Sequence, residues 1–252
     1  MAGGFFSDFN GVTLALLALA GLIAGMARGF SGFGAALIFV PLAGALAGPK
    51  LAGPILLIVD GVLATSLIPG AWGLGNRREV AVMAAGALLG VPAGTVILRS
   101  FAPLTLRWLI AAMAAGMLAL LLSGWRYRGK PHVLATAGTG LVSGLFSGIA
   151  QIGGPPVVSY WLGTAAEPAR FRANIILYFA VINVISLASY FWGDLISAPV
   201  LKLALVAGPA YGAGIFVGTR IFRLASPAVF RSASLALIAL AVLLSLPVFG
   251  HG

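Results

Sequence analysis

The sequence predicts an all-helical (all-α) integral membrane protein built from two homologous halves. Three observations carry that prediction: a composition too apolar for water, a series of apolar segments separated by basic turns, and a set of motifs that occurs twice.

Composition sets the environment. Of 252 residues, 61% are hydrophobic and 8% charged, with a mean hydropathy of +1.10. A soluble domain carries roughly 25% charged residues. Apolar stretches of about 18 or more residues read as membrane spans. The net charge of +10 reads as loop charge on the cytoplasmic side and not as a nucleic-acid footprint. There is no cysteine, which excludes disulfides and thiolate metal sites. The opening MAGGFFSDFN has no basic segment and carries Asp8, so no cleaved signal peptide is expected.

Apolar segments fall at about 11–28, 34–48, 52–71, 80–98, 105–124, 133–149, 154–165, 174–193, 200–220 and 229–247. Segments 34–48 and 154–165 are short for a hydrocarbon core of roughly 30 Å at about 1.5 Å per residue. Basic turns lie between the others: Asn76-Arg77-Arg78, Arg99 to Arg107, and Trp125 to Lys130. Trp72, Trp108, Trp125 and Trp192 stand at segment ends, where an interfacial aromatic belt would put them. The first two segments form one apolar region interrupted by Gly29, Ser31, Gly32 and Gly34, with Arg28 just ahead.

That interruption recurs. GLIAGMARGFSGFG, 21–34, aligns with GLVSGLFSGIAQIG, 140–153, and GVPAGTVILRSFAPLTLR, 90–107, aligns without gaps on GIFVGTRIFRLASPAVFR, 214–231. Thr95, Pro103, Arg99 and Arg107 match Thr219, Pro227, Arg223 and Arg231; Asp60 falls opposite Asn183 after a small insertion. The expected organisation is a first transmembrane repeat, 1–125, a basic connecting loop, 126–132, and a second repeat, 133–252. Each repeat has about four transmembrane segments. The two segments flanking each glycine break either cross separately or form a re-entrant hairpin.

Charge counting favours inverted halves. With an odd number of crossings per half, one side collects Arg77, Arg78, Arg126, Arg128, Lys130, Arg170, Arg172, Arg220, Arg223 and Arg231. The other keeps Lys50, Arg99, Arg107 and Lys202. Four simple spans per half give no such bias. The positive-inside rule then places both termini outside.

Non-helical backbone at membrane depth survives only where protein or a water-filled cavity surrounds it. Broken helices in inverted repeats are a recurring transporter design, with substrate at the half-helix ends. Two breaks in corresponding positions point to one site between them. The helix that begins after the first break turns backbone N–H groups and its positive dipole end toward the break, an arrangement that attracts anions. Pro155 and Pro156 leave fewer donors at the second. Arg28, Ser31, Ser147 and Gln151 add a charge and neutral donors, and arginine's planar fork suits oxyanions. The candidate substrate-binding residues are Arg28, Ser31, Gly32, Phe33, Gly34, Ser147, Gln151, Ile152, Gly153, Gly154 and Asn183. Gly21, Gly25 and Gly29 fit close helix packing of the small-xxx-small kind instead. Asp60 is the one acid well inside an apolar segment, which marks it as a candidate for proton coupling; a structural hydrogen bond or a pair with Arg28 is the alternative. No HExxH, nucleophile triad, metal cluster or phosphate loop is present, so no enzyme and no cofactor is expected.

The repeated glycine break followed by a proline-containing half-helix resembles the sulfite exporter TauE/SafE family of membrane transporters. So do the NRREV turn, 76–80, and the GTxIxR…P…R elements, 94–107 and 218–231. The likeness covers nearly the whole chain. It implies export of small sulfur oxyanions or organosulfonates, such as sulfite or sulfoacetate, across the cytoplasmic membrane. It makes Gly29 to Gly34 and Ser147 to Gly154 the permeation region. Ser31, Phe33, Ala150 and Gln151 depart from the family's GxGGG pattern, and Phe33 with Ile152 would give the site an apolar wall suited to a short carbon chain. The expected partners are the sulfur-containing anion and the lipid bilayer, with protons the candidate coupling ion and a homodimer the candidate assembly. The alternative function is an anion channel, or a transporter of another small organic anion.

Overall fold

The computed structural model describes residues 9–31, 34–129, 131–164, 167–222 and 227–247. Among the described residues there are eleven α-helices and no strand. They are α1 (Gly11–Ser31), α2 (Ala35–Leu46), α3 (Pro49–Ala64), α4 (Ile68–Trp72), α5 (Arg77–Ser100), α6 (Pro103–Ser123), α7 (Val133–Ala150), α8 (Gly154–Gly163), α9 (Pro168–Trp192), α10 (Ala198–Phe222) and α11 (Pro227–Ser245). All ten apolar segments are helical. The segment at 52–71 is divided, with a short 3₁₀ turn at Thr65–Leu67 separating α3 from α4. Six helices (α1, α5, α6, α7, α9 and α10) are long and apolar enough to cross a membrane.

Local chemistry sets the helix starts. α3, α6, α9 and α11 each begin at a proline, where the missing N–H would have had no helical partner and φ is already helical. α5 begins with a reciprocal cap: the Glu79 amide donates to Asn76 Oδ1 at 3.3 Å, and Asn76 Nδ2 donates to Glu79 Oε1 at 3.0 Å. Trp72, Trp108, Trp125 and Trp192 are all exposed at or near helix ends. The fifth tryptophan, Trp161, is buried.

The helices fall into two compact units. One gathers the described residues of Met1–Val59, Ala102–Ala115 and Leu195–Gly252; the other gathers those of Asp60–Phe101 and Gly116–Asp194. α3 and α6 contribute to both. In the first unit α1 packs along α10, with α2 against α1 and α11 against α2. In the second α5 packs along α7, with α9 against α5, α4 and α7, and α8 against α7 and α9.

Each unit is built on a crossing of one helix from each half of the sequence. Glycines make both crossings close. A Cβ on Gly25 would collide with the Tyr211 carbonyl oxygen, and one on Gly29 with that of Ile215; Gly214 and Gly218 of α10 meet Leu22 and Met26 in the same way. In the second unit Gly86, Gly90 and Gly94 of α5 lie against the carbonyls of Ala137, Leu141 and Leu145, while Gly140 and Gly148 meet those of Met83 and Val91. Small residues at four-residue spacing let helix backbones approach to van der Waals contact. The small-xxx-small reading of Gly21, Gly25 and Gly29 is the packing observed.

Candidate functional site

The first break lies in the first unit. α1 runs to Ser31, and Arg28 is half-buried in its last turn, where a cation complements the negative end of the helix dipole. Gly32 and Phe33 lie outside the described residues. Gly34 then adopts a left-handed conformation (φ 94°) immediately before α2, which a side chain would resist. Its carbonyl accepts the Leu37 amide at 3.1 Å. The first turn of α2 therefore directs its N–H groups back toward the end of α1.

The second break lies in the second unit and is described in full. α7 ends at Ala150. Gln151 follows in the left-handed region (φ 57°, ψ 20°), a conformation that costs a residue with a Cβ about 1–2 kcal/mol. Its amide donates to the Ser147 carbonyl at 2.9 Å, and the Ile152 amide reaches back to Phe146 O at 3.3 Å. Gly153 and Gly154 lead into α8, with Pro155 and Pro156 in its first turn. Ser147, Ile152, Gly153 and Gly154 are buried, and Gln151 is half-buried.

Side chains fasten this break from two directions. The Ser143 hydroxyl donates to the Gly153 carbonyl at 2.7 Å. Any Cβ on Gly153 would strike Ser143 and Ser147. From α9, the fully buried Tyr190 hydroxyl donates to the carbonyls of Ser147 (3.1 Å) and Gly148 (3.0 Å). It accepts from Gln151 Nε2 at 3.3 Å. Carbonyls at the very end of a helix run short of helical partners, and in an apolar setting they need other donors. The Ser147 carbonyl already accepts the Gln151 amide, and Tyr190 gives both it and the Gly148 carbonyl a further donor. Twelve residues earlier on the same helix, the Tyr178 hydroxyl reaches Gly140 O at 3.5 Å.

The far end of α8 is held as firmly. Trp161 Nε1 donates to Glu79 Oε2 at 3.1 Å, and the Asn76 amide donates to Asn174 Oδ1 at 2.7 Å. The NRREV turn thus joins α5 to α8 and α9. Tyr160 shares a 2.5 Å hydrogen bond with Thr136 and stacks on Tyr127 at 4.9 Å. α8 is a short half-helix pinned at both ends.

Asn183 is half-buried on α9, and its Nδ2 lies 3.8 Å from where a Cβ on Gly61 would stand. The neighbouring Asp60 is also half-buried. The second unit therefore brings together Ser147, Gln151, Gly153 and Gly154 at the break and sets Asn183 beside the chain at Asp60–Gly61. Tyr190, Ser143 and the Glu79–Trp161 pair were not anticipated from the sequence. Tyr190 sits in SYFW, 189–192, which reads as an interfacial segment end, and only its contact with α7 reveals its part.

Fold and breaks together define a multi-pass membrane protein with interrupted helices. The chain belongs to the sulfite exporter TauE/SafE family, whose pattern matches residues 17–245. Proteins of this family are membrane exporters and not enzymes, and in bacteria they reside in the inner membrane. The chain is similar to a Cupriavidus necator protein named probable sulfite/organosulfonate exporter TauE. The two are 28% identical over 233 residues, covering 86% of this chain and 89% of that protein. No solved structure matches the chain.

Proposed function

We propose that the protein is a secondary transporter that exports small sulfur-containing anions, sulfite or a short organosulfonate such as sulfoacetate, by alternating access. Family membership and the name of the Cupriavidus necator relative support the substrate class. The observation that carries the reading is the second break: a half-helix start, a left-handed Gln151 and a buried Ser147 set within an otherwise apolar membrane protein. Irregular backbone at such a place is characteristic of substrate sites in transporters.

In this reading Ser147, Gln151, Ile152, Gly153 and Gly154 of the second break bind the anion, and the first break, with Arg28, Ser31, Gly32, Phe33 and Gly34, offers anion donors within its own unit. Asn183 adds an amide donor. Ile152 gives the second break an apolar wall for the carbon chain of a sulfonate. Asp60 carries the coupling proton. The halves are inverted repeats with both termini outside. Pro155 and Pro156 deprive α8 of two amide donors, so side chains carry more of the anion there than in the first break.

The test is counterflow in proteoliposomes. Vesicles loaded with unlabelled sulfite should accumulate labelled sulfite transiently above equilibrium, and Arg28→Ala should raise the Kd for sulfite at least about tenfold, the loss of one charge-assisted hydrogen bond. Flux without counterflow would identify a channel instead.

A further inference from the structure

We propose that Ser186 donates a hydrogen bond to the transported anion; this rests on the transport reading above and adds a residue to it. Ser186 is fully buried on α9, and its hydroxyl has no hydrogen-bond partner among the described residues. That is unusual twice over. A buried hydroxyl without a partner is destabilising and therefore rare. A serine or threonine inside a helix also has a ready partner in the carbonyl one turn back. In this protein Thr95 bonds Val91 O, Thr139 bonds Ala135 O and Ser245 bonds Val242 O in that manner. Ser186 does not.

Its place gives the reason. Asn183, Ser186 and Tyr190 follow one another at intervals of three and four, which puts them on one face of α9. At one end of this stripe Asn183 borders Gly61, next to Asp60; at the other, Tyr190 closes the carbonyls of the second break. The stripe spans about 10 Å at about 1.5 Å per residue. Tyr190 has committed its proton to the Ser147 and Gly148 carbonyls. Ser186 has kept its own. A deprotonated oxyanion is an acceptor without donors of its own, so a hydroxyl held unpaired one helical turn from Tyr190 matches it as a further helical carbonyl bond would not.

The experiment compares wild type with Ser186→Ala in detergent, by thermal unfolding and by calorimetric titration with sodium sulfite and with sulfoacetate. Removing an unpaired buried hydroxyl should leave the ligand-free melting temperature unchanged or higher. It should also raise the Kd of the anion that wild type binds by about tenfold, equivalent to about 1.4 kcal/mol. A lower ligand-free melting temperature would make the hydroxyl structural and overturn the proposal. Equal affinities in the two proteins would overturn it and leave the transport reading standing. Failure of wild type itself to bind either anion would overturn both, and is read from the wild-type arm alone.

Discussion

The Tyr190 hydroxyl donates to the Ser147 carbonyl across 3.1 Å, joining the last turn of the long apolar helix α9 to the last turn of α7. The same proton also serves Gly148, and the same oxygen receives the Gln151 amide. One phenol thus holds the carbonyl side of the break while Ser143 holds Gly153 on the other.

Tyr190→Phe keeps the ring and removes the donor. A buried carbonyl left without its partner costs about 1–3 kcal/mol, so the variant should unfold at a lower temperature in detergent and transport less. An unchanged melting temperature would mean that the contact carries no stability.

Gln151 can be separated into backbone and side chain. Gln151→Ala keeps the left-handed strain and loses the bond to Tyr190; Gln151→Gly loses the bond and relieves the strain. The glycine variant should be more stable than the alanine variant by about 1 kcal/mol, while both bind the anion about tenfold more weakly than wild type. The reverse stability order would contradict the assigned conformation.

Two glycines should respond in opposite senses. Gly90 lies against the Leu141 carbonyl, whereas nothing lies within 4 Å of a Cβ on Gly138. Gly90→Ala should destabilise by about 1–3 kcal/mol or more through overpacking. Gly138→Ala, in a helix interior with open space, should gain about 0.5–1 kcal/mol. Folded yield and melting temperature of the two variants check this directly.

Asp60→Asn should abolish accumulation driven by a proton gradient while leaving counterflow of labelled sulfite intact, because a neutral amide can hydrogen-bond but cannot carry a proton. Pumping at the wild-type rate would make Asp60 structural.

The chain contains no cysteine, so single cysteines report topology cleanly. With inverted halves, cysteines at Arg78 and Arg128 should resist an impermeant thiol reagent in intact cells, while one at Lys50 should react. Labelling of the Arg128 and Lys50 positions from the same face would rule out the inverted arrangement.

Much of this protein is legible from local sequence. The apolar segments, the prolines that open α3, α6, α9 and α11, the left-handed Gly34 before α2 and the short break at Gln151 to Gly153 are set by neighbours a few residues away, and sequence carries such information directly. The sequence repeat also matches glycines in pairs, such as Gly25 with Gly144 and Gly90 with Gly214. It does not say which helix each glycine stripe meets. A stripe of small residues accepts any backbone of suitable shape, so the pairing of α1 with α10 and of α5 with α7, each across the two halves, is decided by tertiary packing. The same holds for Tyr190 closing the end of α7 and for the unpaired hydroxyl of Ser186. In sequence a tyrosine in an apolar helix is one polar residue among many apolar ones; what Tyr190 does is decided by two carbonyls some forty positions away.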